Sequence, residues 1–299
     1  MKILLTGGTG FIGQSLCARL ITQGHTLTVL SRRPDKVPEL CEKSVASISS
    51  IKLLKSDDHF DAIINLAGEG IADARWTQQR KNQLLDSRVG ITHQLIDFVS
   101  IAESKPSVLI SGSAVGYYGD QGDSILDEQG AFTDDFPHQL CAAWEQTAKR
   151  AADYEVRTCL LRTGLVIGKD GGFLKRMLLP FKLGLGGRIG DGKQWMSWVH
   201  REDLIGMIEY LLTESNANGV FNGTAPQPVT NREFSQCLAK LLNRPALLPV
   251  PALVLKLALG EMSTLLLGGQ RVLPQRFIDA EFRFHFNTLE AALCEAIEK

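Results

Sequence analysis

Seven residues near the start of the chain, Gly7-Gly8-Thr9-Gly10-Phe11-Ile12-Gly13, follow directly on the apolar run Ile3-Leu4-Leu5. A strand, a tight glycine turn and a helix start, in that order, suit the binding of a pyrophosphate. One glycine permits the turn, one lets the backbone approach the phosphates, and one lets helix and strand pack closely. The helix N-terminus then offers unpaired N–H groups and the positive end of a dipole to the anion. Gly7, Thr9, Gly10, Phe11, Ile12 and Gly13 are therefore the expected contacts of a dinucleotide. A glycine turn that binds nothing is the plain alternative. Against it, Ile12, Leu16 and Leu20 recur every four residues, as the buried face of the following helix should.

The second strand candidate ends Thr28-Val29-Leu30-Ser31-Arg32-Arg33. An NAD enzyme places an acid here, about 20 residues past the glycines, to grip the ribose hydroxyls. Ser31 occupies that position, and Arg32 and Arg33 follow it. A carboxylate would repel a 2′-phosphate, whereas arginine makes planar, charge-assisted contacts with one. Ser31, Arg32 and Arg33 thus predict NADP(H) over NAD(H). Asp35 lies beyond Pro34, outside the expected pocket.

Elements able to position these groups fit in 299 residues, of which 44% are hydrophobic and 22% charged, as in an ordinary globular protein. Apolar strand-like runs at Lys2–Thr6, Thr26–Ser31, Ala62–Ala67, Val108–Gly112 and Val156–Arg162, with a weaker one at Ile51–Leu54, alternate with helical patterns. The helical patterns fall near Phe11–Gln23, Thr77–Ser100 and Gln139–Ala152. The expected fold class is α/β, a Rossmann-type doubly wound parallel sheet with a smaller C-terminal substrate lobe. Residues 1–167 would form the dinucleotide-binding domain, with a later return near 196–225. Residues 168–248 mix core and substrate-lobe segments, and 249–299 form a C-terminal extension. Thr230 and Glu233 make a capping box for a helix ending near Leu242.

The formal net charge is −1, from 32 basic and 33 acidic side chains, so no electrostatic footprint for nucleic acid or an anionic membrane exists. Cys17, Cys41, Cys141, Cys159, Cys237 and Cys294 are scattered and read as reduced thiols of a cytoplasmic protein. The longest apolar stretch, Leu253 to Leu267, is broken by Lys256, Gly260 and Glu261, short of the roughly 20 residues a membrane span needs. No cluster has metal-ligand spacing, and His200 alone is no metal site. A small-molecule substrate or ligand is the expected partner, with the oligomeric state open.

Asn65-Leu66-Ala67-Gly68 after the fourth strand and Ser111-Gly112-Ser113-Ala114 after the fifth, with the glycine turn, resemble an extended short-chain dehydrogenase/reductase of the NAD-dependent epimerase/dehydratase family. Further segments are similar to its atypical "epimerase family" branch of YfcH type, which carries a C-terminal extension. They are Glu69, Ser87-Arg88, Gly116-Tyr117-Tyr118-Gly119, Trp144-Glu145, Leu183 to Gly187 and Gly268-Gly269-Gln270-Arg271-Val272-Leu273-Pro274. Glu281-Phe282 departs from the branch's usual Gly-Phe.

The larger departure is chemical. The wider group uses a Tyr-x-x-x-Lys pair as its acid/base, and no such pair exists among the four tyrosines here, Tyr117, Tyr118, Tyr154 and Tyr210. The expected helix reads Pro137-x-x-x-Cys141 instead. The resemblance places Ser113 where the group's catalytic serine holds a substrate oxygen; a strand-end serine bonding to local backbone is the other reading. Tyr117 and Tyr118 sit just past that strand, as proton donors or as an aromatic wall for a substrate. By resemblance, Leu66 and Ala67, with Gly68, pass under the adenosine and ribose, and Val166 borders the nicotinamide. Arg88 points toward the ribose or phosphates, or is a surface helix residue. Two functions follow: an NADP(H)-dependent oxidoreductase or epimerase-like enzyme with an unusual proton donor, or a non-catalytic NADP(H) sensor.

Overall fold

Ile3, Leu4 and Leu5 are completely buried, which a strand achieves only when helices cover both faces of its sheet. The computed structural model, which describes residues 1–298, places them in a seven-stranded parallel sheet. Its strands are β1 (Lys2–Thr6), β2 (Thr26–Leu30), β3 (Ala46–Ile48), β4 (Ala62–Asn65), β5 (Val108–Ala114), β6 (Arg157–Thr163) and β7 (Gly219–Gly223). They lie in the order β7-β6-β5-β4-β1-β2-β3, every pair parallel. The winding reverses between β1 and β4, which leaves a crevice at their carboxyl ends. This is the doubly wound Rossmann-type sheet that the sequence predicts.

The helices are α1 (Phe11–Thr22), α2 (Gln78–Leu85), α3 (Ile91–Ile101), α4 (Phe136–Lys149), α5 (Gly172–Lys182), α6 (Arg201–Thr213), α7 (Asn231–Leu241), α8 (Ala252–Leu259) and α9 (Leu289–Ile297), besides shorter turns. Strand alternation sorts the core into two layers. Ile3, Leu5, Ile64, Ile110 and Leu161 pack with Leu16 and Leu20 of α1 and with Leu204 and Ile208 of α6. Leu4, Ile63, Leu109 and Leu160 face the other way, onto Leu95 and Val99 of α3 and Ala148 of α4.

Two local readings change. The third strand is Ala46–Ile48, while the expected Ile51–Leu54 forms a 3-10 turn, Ile51–Leu53, capped by Ser50. The helical stretch expected at Thr77–Ser100 is divided by a π turn, Asp86–Gly90, between α2 and α3.

Beyond β6, α5, α7 and α9 build a second core around Trp198, Phe234, Leu238 and Leu293. The capping box of Thr230 and Glu233 is formed at the start of α7. His200 caps α6, and Asp203 in its first turn is fully buried and accepts from the backbone N–H groups of His285 and Phe286. Helix α8 and the turn after it pack back on α2, the loop before it and the start of α4. Arg75 donates to the carbonyls of Leu257 and Ala258, Lys81 pairs with Glu261, and Met262 packs against Trp76 and Phe136. Among the described residues no helix is long and apolar enough to cross a membrane.

Candidate functional site

The glycine turn leaves no room for side chains. Gly7 has φ +73°, and a Cβ there would sit 2.4 Å from the Leu66 carbonyl oxygen. A Cβ on Gly13 would sit 2.2 Å from the Gly7 oxygen. Gly10 caps α1 without any side-chain hydrogen bond, so the first-turn N–H groups remain free for an external anion. Thr6 Oγ1 donates to Asn65 Oδ1 (2.6 Å) and accepts from the Ala67 N–H (3.1 Å), which fixes the loop after β4 beside the turn.

A cleft of about 540 Å³ opens at these strand ends. Gly7, Thr9, Gly10, Ser31, Arg32, Arg33, Leu66, Ala67 and Gly68 all line it. Glu69, Gln83, Asp86 and Ser87 line it too, beyond the residues to which the glycine motif points. Phe11, Ile12, Gly13, Arg88 and Val166 do not line it. The Phe11 ring packs against the Gly168 to Gly172 loop and under Arg201 (4.8 Å to the centroid). Ile12 and Val166 pack onto the main core, and Gly13 is buried in the close contact with Gly7.

Arg88 sits on the π turn, behind the Gly68-Glu69 backbone. It donates to the carbonyls of Glu69 (2.9 Å) and Leu84 (3.3 Å), and lies over the Trp144 ring. Its guanidinium fixes the Gly68-Glu69 backbone, and burial lowers its pKa. It is half-buried against Gly68, not a loose surface residue.

Behind the carboxyl end of β5 lies a closed network of polar side chains. Ser113 donates to Glu145 Oε1 (2.7 Å). Arg162 meets the same carboxylate with two bonds, Nε to Oε1 (2.8 Å) and Nη2 to Oε2 (2.9 Å). Glu145 is 2% and Arg162 3% exposed. Fork-to-carboxylate pairing of this kind is what makes a buried ion pair tolerable. Arg162 Nη1 also donates to the Tyr118 hydroxyl (3.0 Å), which donates to Asn222 Oδ1 (2.7 Å).

The network separates the two adjacent tyrosines. Tyr118 is fully buried, both sides of its oxygen are engaged, and burial pushes its phenol up to about 12. As a proton donor to a substrate it is therefore corrected to a core residue. Tyr117 is half-buried, its ring stacked 3.4 Å from the Arg162 guanidinium, and its hydroxyl bonds to none of the described residues. His138 Nδ1 sits 2.6 Å from the Tyr117 carbonyl oxygen and ties the turn to α4. Cys141 is buried beside Ser113, and burial pushes its thiol up to about 11, which keeps it protonated. Pro137 packs against Gly116 under the tyrosine turn, where a Tyr-x-x-x-Lys helix would carry its tyrosine.

Glu145 and Arg162 are the site residues that motif reading missed. A signal existed: an arginine inside the apolar run Val156 to Thr163, and a glutamate on the buried face of α4 next to Trp144. Trp198 is core and Trp195 donates to Asp123.

A model of the NAD dependent epimerase/dehydratase family matches residues 3–222, and a domain of unknown function, DUF1731, matches residues 250–296. Epimerase family protein YfhF of Bacillus subtilis is 39% identical, over 99% of this chain and 98% of its own length. The chloroplastic epimerase family protein SDR39U1 homolog of Arabidopsis thaliana is also 39% identical, over 98% of this chain and 86% of its own. The crystal structure of human epimerase family protein SDR39U1 with NADPH superposes at a TM-score of 0.90 with 35% identity, covering 99% of this chain and 98% of that one. A conserved-length match of this kind, from glycine turn to extension, fixes the lineage: the chain belongs to the NAD-dependent epimerase/dehydratase family.

Proposed function

We propose that the chain is an NADP(H)-dependent oxidoreductase-like enzyme acting on a small molecule, with Tyr117 in the place of the family's missing Tyr-Lys pair. The observation that carries the cofactor choice is the pair Arg32 and Arg33, with Ser31 in the acidic position, on the wall of the cleft at the glycine turn. NADPH in the human relative supports the same choice. The first turn of α1 and Gly10 hold the pyrophosphate, Arg32 and Arg33 the 2′-phosphate, and Leu66, Ala67 and Gly68 support the adenosine. When bound, the nicotinamide supplies or accepts a hydride. Ser113, whose own proton goes to Glu145, accepts from a substrate hydroxyl, Glu145 keeps the serine oriented, and the phenol of Tyr117, which bonds to none of the described residues, moves the proton.

NADPH deuterated at its transferable C4 position, incubated with the protein and a metabolite extract, tests the proposal by mass spectrometry. A labelled metabolite with the wild type, falling about 10²-fold with Tyr117→Phe, is the expected result. NADPH bound with no label in any metabolite would overturn it in favour of a non-catalytic NADP(H) sensor.

A further inference from the structure

One carboxylate on the cleft wall is built into its place. The Glu69 N–H donates to Ser87 Oγ (3.1 Å), its carbonyl accepts from Arg88 (2.9 Å), and its Oε2 pairs with Arg80. Arg80 is itself mostly buried and also donates to the Gly70 carbonyl (2.8 Å). That hydrogen bond from Arg80 holds the Glu69 carboxyl below the usual range, so it stays ionised. The other oxygen, Oε1, faces Arg32 at 3.2 Å. Arg32 is the opposite kind of group. Its side chain is 88% exposed, and Glu69 is its one ion-pair partner among the described residues. A fixed post and an exposed arm thus meet on the lining of the cleft.

We infer that Glu69 is a specificity-determining residue, the internal counter-ion that Arg32 exchanges for the 2′-phosphate of NADP(H). The inference rests on the reading of Arg32 as a phosphate ligand. An exposed ion pair is weak and exchanges readily. A phosphate monoester carries more charge than a carboxylate and offers three acceptor oxygens to a guanidinium. NAD(H) presents only hydroxyls there, so Arg32 stays on Glu69. Arg80 makes the exchange feasible, because it keeps Glu69 compensated after Arg32 has left.

The two partners of Glu69 therefore have opposite effects. Glu69→Gln removes the competitor while keeping an acceptor for Arg80, and NADPH tightens about three- to tenfold with NADH unchanged. Arg80→Met leaves the carboxylate to Arg32 alone, and NADPH weakens by a similar factor, again with NADH unchanged.

Fluorescence titration of NADPH and NADH against wild type, Arg32→Ala, Glu69→Gln and Arg80→Met, each checked by thermal melting, tests this. Arg32→Ala weakens NADPH at least about tenfold and spares NADH; if it does not, the phosphate reading of Arg32 fails and the exchange falls with it. If Arg32→Ala behaves as stated but Glu69→Gln leaves the NADPH-to-NADH ratio unchanged or lower, the exchange alone is overturned. Should Glu69→Gln fail to fold, Arg80→Met decides: weaker NADPH with unchanged NADH supports the exchange, and unchanged selectivity overturns it.

Discussion

The rim of the cleft and the pocket behind β5 both pair arginine with glutamate, but they do so under different constraints. At the rim, Arg32 is 88% exposed and meets Glu69 through one contact, while the first-turn N–H groups of α1 have no side-chain partner. Behind β5, Glu145 and Arg162 are sealed from water and every charged atom of the pair is engaged by Ser113, Tyr118 or each other. The rim keeps donors in reserve for a ligand. The inner network spends its donors on itself, and at its edge the half-buried Tyr117 keeps a hydroxyl that bonds to none of the described residues.

The sharpest way to break this contrast is to remove one charge from each place. Glu145→Ala leaves Arg162 buried and alone, at an expected cost of about 3–5 kcal/mol in chemical denaturation, whereas Arg32→Ala stays within about 0.5 kcal/mol of wild type. Equal losses at the two sites would erase the distinction. Next in size, Arg32→Glu combined with Arg33→Glu weakens NADPH about a hundredfold in fluorescence titration, and NADH by much less.

The tyrosines carry the contrast to adjacent residues. Tyr118→Phe strands Asn222 and a bond from Arg162 and costs about 1–3 kcal/mol of stability, while Tyr117→Phe costs almost none. Comparable melting shifts for the two would contradict the inner and outer assignments. The smallest effect is a pH dependence at the rim. The Glu69 carboxyl is held below its ordinary value of 4.5, first by its hydrogen bond from Arg80. Its contribution to stability is thus complete above 4.5 and is lost as the pH falls through the depressed value. Stability of the wild type should fall more steeply than that of Glu69→Gln across this acid limb, by less than about 1 kcal/mol in a partly exposed pair. Parallel acid limbs would remove Glu69 from the account.

The cofactor side was largely legible in the chain, because the glycine turn is local. Seven consecutive residues declare a turn, a close approach and a helix start, and Ser31-Arg32-Arg33 lie at a fixed distance downstream. The third strand was misplaced because Ile51, Leu53 and Leu54 are more apolar than Ala46-Ser47-Ile48, yet β3 is an edge strand that needs little burial. The inner network was not legible as a unit. Its partners come from β5, α4, β6 and β7, and only the folded sheet brings Ser113, Glu145, Arg162 and Asn222 together. Tyr117 and Tyr118 are indistinguishable by type and spacing, and a single step along a 3-10 turn decides which phenol is buried.

The π turn at Asp86–Gly90 also sets what kinds of genetic change this chain can absorb. The wider turn inserts an extra residue, which rotates all that follows by about 100°. Leu84 before it packs with Trp76 and Met262, and Leu95 and Val99 after it pack on the sheet with Leu4 and Ile63. A Cβ on Gly90 would meet nothing within 4 Å, so an amino-acid exchange there has open space. Deletion of Gly90 is expected to close the turn into ordinary helix and to swing one of the two apolar stripes into water, a loss that thermal melting would read. At this position the text tolerates a changed word but not a missing one.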